Sequence, residues 1–343
     1  IQMRATIKDV AKLAHVSTST VSLVLNNKAV PISQQTRDAV LLAAKELHYR
    51  PNQLAVALVT NKTNTIGLII PDNSNPFFAT LSNQIEKVAS KNGYSIILGN
   101  TNNNAKSTRN YLRIFTDHAV DGIILAQADF SVPEEGEKCM QLIKELRIPV
   151  VSVDRIYKGS NMNSVIVDQQ LAGYLATRHL LNLGHRRIGC ASGPLGLSNC
   201  RNRLLGYQQA LSEFNVPFDS NLIYEENLNI ECGIHALSTL LGQNVTAIFA
   251  FNDLIAYGVY KELRNYNLSV PDDLSLVGLD DIFLSEIIQP PLTTVAQPVT
   301  EIAENVVDRI IEQILTPGGT GQEPLVLAPI LKVRGSTRRI QSP

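Results

Sequence analysis

The sequence predicts a small all-α head joined through a short polar linker to a larger α/β body of parallel sheets flanked by helices. Three observations predict it. Over the first sixty residues apolar positions recur at helical spacing, and from residue 65 onward short apolar runs alternate with amphipathic stretches of helix length. Charge divides at the same place: residues 1–60 hold seven Lys/Arg against three Asp/Glu, a net +4, and the remainder holds 23 basic against 28 acidic residues, a net −5. A basic module on an acidic body points to a polyanion bound by one part only.

In the head, Thr6-Ile7-Lys8-Asp9 has the S/T-x-x-D/E spacing of a capping box, so a helix is predicted from Ile7, with Ile7, Val10, Ala11 and Ala14 on one buried face. Ser17 can cap a second helix that turns Val21, Val24 and Leu25 inward. Its other face then presents Thr18, Ser19, Ser22, Leu23 and Asn26. Two short helices around a tight turn, the second showing small hydrogen-bonding side chains outward, form the pattern of a helix-turn-helix that enters a DNA major groove. On spacing alone, a helical hairpin that only packs on the body also fits. A third helix follows Ser33, placing Val40, Ala43, Ala44 and Leu47 inward, and ends near His48-Tyr49 because Pro51 disfavours helical geometry at Arg50. Residues 52–58 suit a helix, but one of about seven residues is not stable alone. It needs something to pack on.

With 343 residues, 44% hydrophobic and 18% charged, the body has ample material for a large core, which excludes a disordered chain. Strands are predicted at 66–70, 95–98, 122–126, 150–153, 165–167, 187–191, 247–250 and 275–278, with helices between. Eight such strands fit one barrel or two open sheets. In open sheets ligands sit beyond the carboxyl ends of the strands, which singles out residues 72–78, Asp154-Arg155, 199–203, Asn252-Asp253 and Asp280-Asp281. Acids, amides, an arginine and aromatics together suit a polyhydroxylated ring. Helix capping by Asn252 or Asp253, and a core position for Phe78, are the alternatives.

Enzyme motifs find no support: the sequence has no G-x-x-x-x-G-K-S/T, no H-E-x-x-H and no G-x-S-x-G, and its six histidines lack metal-ligand spacing. Gly193-Pro194-Leu195-Gly196 reads as a turn. Cys139, Cys190, Cys200 and Cys232 form no C-x-x-C pair and read as reduced packing residues of a cytoplasmic protein without a signal peptide. No apolar run approaches the roughly 20 residues needed to cross a bilayer.

The run from Thr6 to Asn26 closely resembles the N-terminal headpiece of the LacI/GalR family of bacterial transcription regulators, and the resemblance extends over essentially the whole chain. It implies a headpiece at 1–50, a hinge helix and linker at 51–64, and an effector-binding and dimerisation domain at 65–340. That domain is two-lobed, like the periplasmic sugar-binding proteins. The first lobe takes about 65–162 and 294–322 and the second about 163–293 and 323–340, so the chain crosses near 160, 293 and 323. The function implied is a homodimeric repressor of a palindromic double-stranded operator, associated with the nucleoid. It responds to a small-molecule effector, a sugar or sugar derivative, and needs no cofactor, metal or membrane. A purine or a protein co-effector is the alternative.

Residue by residue, the resemblance implies DNA contacts from Thr6, Lys8, Ser17, Thr18, Ser19, Thr20, Ser22, Leu23 and Asn26, then Tyr49. In the hinge it implies contacts from Asn52, Ala55 and Leu58, with Leu58 as a minor-groove wedge. It implies effector contacts from Asn73, Phe77, Phe78, Asp154, Asn199 and Arg203, with Asn252 and Asp280. The chain also departs from the pattern. His15 stands where many members have a turn Gly, a position that suits φ > 0. Leu23 replaces a frequent Arg and cannot make its bidentate guanine contact, so an apolar contact such as a thymine methyl is expected there. Val56 stands where many relatives are polar or basic. Leu197 and Leu228 occupy positions often polar and aromatic, which predicts a more apolar pocket. After Arg339 the tail is too short for the C-terminal zipper that family tetramers use, and the sequence leaves open whether dimers pair further.

Leu58→Ala is expected to weaken specific operator binding by about tenfold or more while sparing non-specific binding. Titration against operator and random duplex at fixed salt checks it, and equal losses on both would remove the wedge.

Overall fold

Local signals are enough to build the head, as a computed structural model shows. The model describes residues 5–25, 30–49, 62–127, 133–155, 162–316 and 323–340. The chain is arranged as two units, 1–63 and 64–343. In the first, α1 (Ile7–Leu13) starts where expected, and the Asp9 carboxylate accepts both the Thr6 backbone N–H at 2.8 Å and its hydroxyl at 2.7 Å. His15 turns the chain at φ +54°, as its place in the turn suggested. The Ser17 hydroxyl accepts the Thr20 N–H at 3.1 Å and opens α2 (Thr18–Leu25). Ser33 does the same for α3 (Gln34–Glu46), accepting from Thr36 at 3.2 Å. Val10, Ala11, Val21, Val24, Val40, Ala43 and Ala44 form the core that all three helices share. Helix α3 stops two residues short of the expected His48-Tyr49, because His48 adopts φ +47° and lets the Tyr49 N–H return to the Ala44 carbonyl at 2.8 Å. Asn26 and the predicted hinge with Asn52, Ala55 and Leu58 lie outside the described residues.

The second unit contains two six-stranded sheets. The first is built from β1 (Thr65–Ile70), β2 (Ser95–Asn100), β3 (Gly122–Ala126), β4 (Val150–Val153), β5 (Ser164–Val167) and β11 (Leu325–Leu327), in the order β11-β5-β4-β3-β1-β2. Every pairing in it is parallel. The second comprises β6 (Ile188–Ser192), β7 (Ile223–Glu225), β8 (Ala247–Ala250), β9 (Ser275–Asp280), β10 (Thr293–Ala296) and β12 (Ile330–Lys332), in the order β12-β10-β9-β8-β6-β7, with only β12 antiparallel. Two open sheets, not a barrel, is the outcome.

Parallel strands need crossover helices, and these cover both faces. On the first sheet α4 (Pro76–Lys91) and the late helix α11 (Val299–Leu315) bury Phe77, Phe78, Leu81, Ile85, Ile302 and Val306 against Ile66, Leu68 and Ile70 of β1. The alternate residue Ile69 points to the other face, where α5 (Ala105–Asp117) and α6 (Pro133–Glu145) supply Leu112, Phe115 and Cys139. The second sheet is flanked by α7 (Gln169–Asn182), α8 (Ser198–Glu213), α9 (Ile230–Leu241) and α10 (Asp253–Leu263).

All eight strands predicted from the sequence form, within one or two residues at their ends. The four that were missed, β7, β10, β11 and β12, have three or four residues each and too little pattern to stand out. The crossings expected near 160, 293 and 323 occur instead at Asp168, at Gln297-Pro298 and between β11 and β12. Strand β5 stays in the first sheet because it pairs with β4 and β11, and the Asp168 N–H binds the Leu327 carbonyl at 2.9 Å. Strand β10 stays in the second because it pairs with β9.

Helices α7 and α8 approach unusually closely. A Cβ on Gly206 would stand 1.9 Å from the Gln170 carbonyl oxygen, and one on Gly173 would stand 2.0 Å from that of Arg203. Only glycine permits this backbone contact. Gly206→Ala is therefore expected to force the helices apart and cost about 1–3 kcal/mol, read by urea denaturation. Wild-type stability would show that the crossing adjusts freely.

Candidate functional site

The carboxyl ends of strands from both sheets bring together a buried polar cluster. Asp154 follows β4 and is 5% exposed; its Oδ1 accepts the Asn199 amide at 3.1 Å, a bond from the first lobe to α8 of the second. Arg155 donates to the Gln127 carbonyl, just past β3, at 3.0 Å, and its Nε lies 3.4 Å from Asp154 Oδ2. The Arg155 guanidinium stands 5.9 Å from the centroid of the Phe78 ring, which meets Phe77 edge-on at 5.1 Å. Ile282, which follows β9, is buried within the first lobe's core, so the two lobes touch.

From the second lobe, Arg203 on α8 is 4% exposed. It donates through Nε to Gln169 Oε1 at 2.7 Å and through a terminal nitrogen to the Phe251 carbonyl at the end of β8. Gln169 donates to Gln297 Oε1 at 3.2 Å, and Gln297 donates to Asp280 Oδ1 at 2.7 Å. The buried amide nitrogen of Gln127 has no hydrogen-bond acceptor among the described residues, and Arg155 Nε has only the 3.4 Å ion pair to Asp154. Buried donors left open in this way are what a polar ligand satisfies.

Two of the acids hold backbone conformations that side-chain-bearing residues rarely adopt, Asp154 at φ +67° and Asp280 at φ +113°. Such strain persists only where the surroundings impose it, and it collects at binding sites. Burial pushes the Asp154 carboxyl above its usual range against the pull of Arg155 and Arg203. It pushes Asp280 up to about 7, opposed by Arg203 and assisted by the neighbouring charge of Asp253. Asp253, at the start of α10, is itself raised to about 7 by burial although Thr294, Ser285 and the Ile282 N–H all donate to it.

Of the effector positions predicted from sequence, Phe77, Phe78, Asp154, Asn199, Arg203 and Asp280 come together here. Asn252 follows β8 and also caps the next helix: Oδ1 accepts the Ile255 N–H at 2.9 Å, and Nδ2 donates to the Leu228 carbonyl at 3.2 Å. Leu228 is half-buried against the second core, and Leu197 is the N-terminal capping residue of α8. Asn73 is exposed and binds Asn100 through its backbone N–H at 3.1 Å. The sequence reading missed Gln127, Gln169 and Gln297. Gln127 directly follows a predicted strand and was open to the same rule. The other two flank lobe crossings that had been placed elsewhere.

In the head, Thr6, Lys8, Ser17, Thr18 and Ser19 are exposed, Thr20, Ser22 and Leu23 are half-buried, and Tyr49 packs on the core. Among the described residues no helix is long and apolar enough to cross a membrane, and no group of three His, Cys, Asp or Glu is placed to hold a metal.

Residues 6–52 match the model of bacterial regulatory proteins of the lacI family, and residues 63–343 match that of periplasmic binding proteins and the sugar-binding domain of the LacI family. The chain belongs to the LacI family. It is a DNA-binding transcriptional regulator and not an enzyme. Among its relatives the ribose operon repressor of Haemophilus influenzae is 36% identical over 334 residues, covering 97% of this chain and 98% of the relative. The lac repressor dimer bound to operator and the anti-inducer ONPF is 25% identical with a TM-score of 0.86, covering 98% of this chain and all of that one. A LacI-family regulator from Enterococcus faecium with bound ribose is 31% identical with a TM-score of 0.71, covering 81% of this chain and all of that one.

A carboxyl raised from 3.8 to about 7 favours the folded state while protonated, so this contribution is intact below about pH 4 and is lost as pH rises through about 7. Asp280→Asn is expected to flatten that decline. Unfolding free energies measured from pH 4 to 8 for both proteins check it, and parallel curves would contradict the burial effect.

Proposed function

We propose that this LacI-family regulator is a repressor that binds a palindromic operator as a homodimer and takes a monosaccharide of the ribose class as its effector. The observation that carries the reading is the mixture of groups in the buried cluster, where the carboxyls of Asp154 and Asp280 stand beside the guanidinium groups of Arg155 and Arg203. A neutral polyol matches such a site, since each hydroxyl both donates and accepts and can bridge a carboxylate to a guanidinium. A phosphosugar would bring its dianion against two carboxylates. Phe77 and Phe78 supply an apolar edge for the C–H face of a ring. The ribose repressor and the ribose-bound regulator among the relatives support the same class.

Dimerisation is supported by apolar residues left at the surface. Ile97 and Leu98 are exposed on the edge strand β2, and Phe283 and Ile287 are 66% and 64% exposed beyond β9. A two-fold interface would cover such patches on both copies at once. In the head, Thr18 and Ser19 present short polar side chains that allow close approach to a groove. Effector binding in the cleft changes the angle between the lobes and with it the operator affinity, and by linkage operator DNA changes effector affinity by the same factor.

Calorimetric titration with D-ribose, other pentoses and hexoses, ribose 5-phosphate, hypoxanthine and guanine tests the effector class. A free monosaccharide is expected to bind and the phosphosugar to fail, with Arg203→Ala losing about 100-fold or more in affinity. Its operator affinity without effector should stay near that of the wild type. Tight binding of a purine base in place of every sugar would overturn the reading.

A further inference from the structure

Asp253 opens α10 with no exposed surface, and both of its carboxyl oxygens are taken by protein donors. Oδ1 accepts the Thr294 hydroxyl of β10 at 2.6 Å, and Oδ2 accepts the Ile282 N–H at 2.9 Å and the Ser285 hydroxyl at 2.7 Å. The carboxyl lies in a gap that glycine leaves in β9: a Cβ on Gly278 would stand 2.3 Å from Asp253 Oδ1. An ionised carboxylate is an acceptor only, so one side chain answers all of these donors at once. Its place in the first turn of α10 favours the same charge.

Ile282 and Ser285 belong to the turn that follows Asp280. Asp280 and Asp281 hold φ +113° and +57° in succession, and residues with side chains keep such a conformation only where bonds on both sides impose it. On the near side the ladder does so, since Asp280 pairs with Ala296 of β10. On the far side the Ile282 backbone and the helical turn Phe283–Glu286 are tied to Asp253. Arg334 adds ion pairs at 2.7 Å to Asp281 and 2.9 Å to Glu286, but these reach side chains and leave the backbone of the turn to Asp253. The direction of the Asp280 carboxyl follows from its backbone angles, so whatever fixes the turn also aims the acid.

We propose that Asp253 is a positioning residue for effector binding: without touching the effector, it holds the turn after β9 and so sets how Asp280 presents its carboxyl to the cleft. The inference rests on the reading of Asp280 as an effector contact.

The test is a double-mutant cycle in the full-length protein, read as D-ribose affinity, with Asp253→Asn, Asp280→Asn and the two combined. Asp253→Asn keeps one acceptor oxygen and sets an amide N–H against donors. It is expected to weaken D-ribose binding about tenfold when Asp280 is present and by less than about twofold once Asp280 is replaced. In the ligand-free protein, hydrogen exchange at the Ile282 amide is expected to rise about tenfold while β1 and β6 keep their protection. Equal losses in both backgrounds overturn the proposal, because a general loosening of the lobe acts with or without Asp280. An affinity unchanged by Asp253→Asn alone overturns it too. Where that variant does not fold, Ser285→Ala and Thr294→Val, each removing one donor to the carboxyl, take its place in the cycle and in the exchange measurement. If Asp280→Asn binds D-ribose as tightly as the wild type, or the wild type binds none, the reading of Asp280 fails by itself. In that case, or where Asp280→Asn leaves no measurable affinity, exchange decides: a rise at Ile282 keeps Asp253 as the holder of the turn, and wild-type exchange there overturns it.

Discussion

The buried guanidinium of Arg203 is the constraint around which the body is arranged. An isolated charge at 4% exposure would be prohibitively costly. The fold answers with the Phe251 carbonyl at the end of β8, with Gln169 at the start of α7, and with the fields of Asp154 and Asp280 from two different sheets. Those acids are in turn held where burial favours protonation, so each side of the site depends on the other being present. Buried acids beside buried guanidinium groups, aspartates at positive φ and the Gln127 amide nitrogen without an acceptor among the described residues all meet at the same strand ends.

Around this charge the body separates what is rigid from what is adjustable. Backbone contact at Gly173 and Gly206 locks α7 to α8, and each lobe has its own continuous core. Between the lobes, Ile282, Leu254 and Tyr257 of the second pack on the core of the first, and the Asp154 to Asn199 bond and the glutamine pair at the crossings add polar contacts. Packed cores resist continuous deformation, so the segments that join the lobes are where a change of angle between them can be taken up. The head stands apart in this respect. Its three helices share a core of seven small apolar residues and depend on serine and threonine caps that lie within a few residues of what they cap.

How much could be read from the sequence follows from that difference in range. Capping at Thr6, Ser17 and Ser33, the positive φ of His15, the inward faces of three helices and eight strands of the body depend on spacings of two to seven residues, and the sequence displays these openly. Strand-end positions led to Phe78, Asp154, Arg155, Asn199, Arg203 and Asp280, because parallel sheets place ligands at those ends. Asn252 obeys the same rule and also caps a helix, since an amide after a strand and before a helix satisfies both descriptions at once.

By itself, then, the sequence determined a basic three-helix reader, an alternating α/β body and most of the side chains of its cleft, because local periodicity and chemistry at strand ends encode them. Tertiary structure alone decided where the lobes exchange chain, which short strands belong to which sheet, and that Gln169 meets Gln297. These depend on ladders and hydrogen bonds between residues more than a hundred positions apart, such as Val165 with Leu325 and Asp168 with Leu327. A segment of three or four residues carries no trace of the partner it will find at that distance.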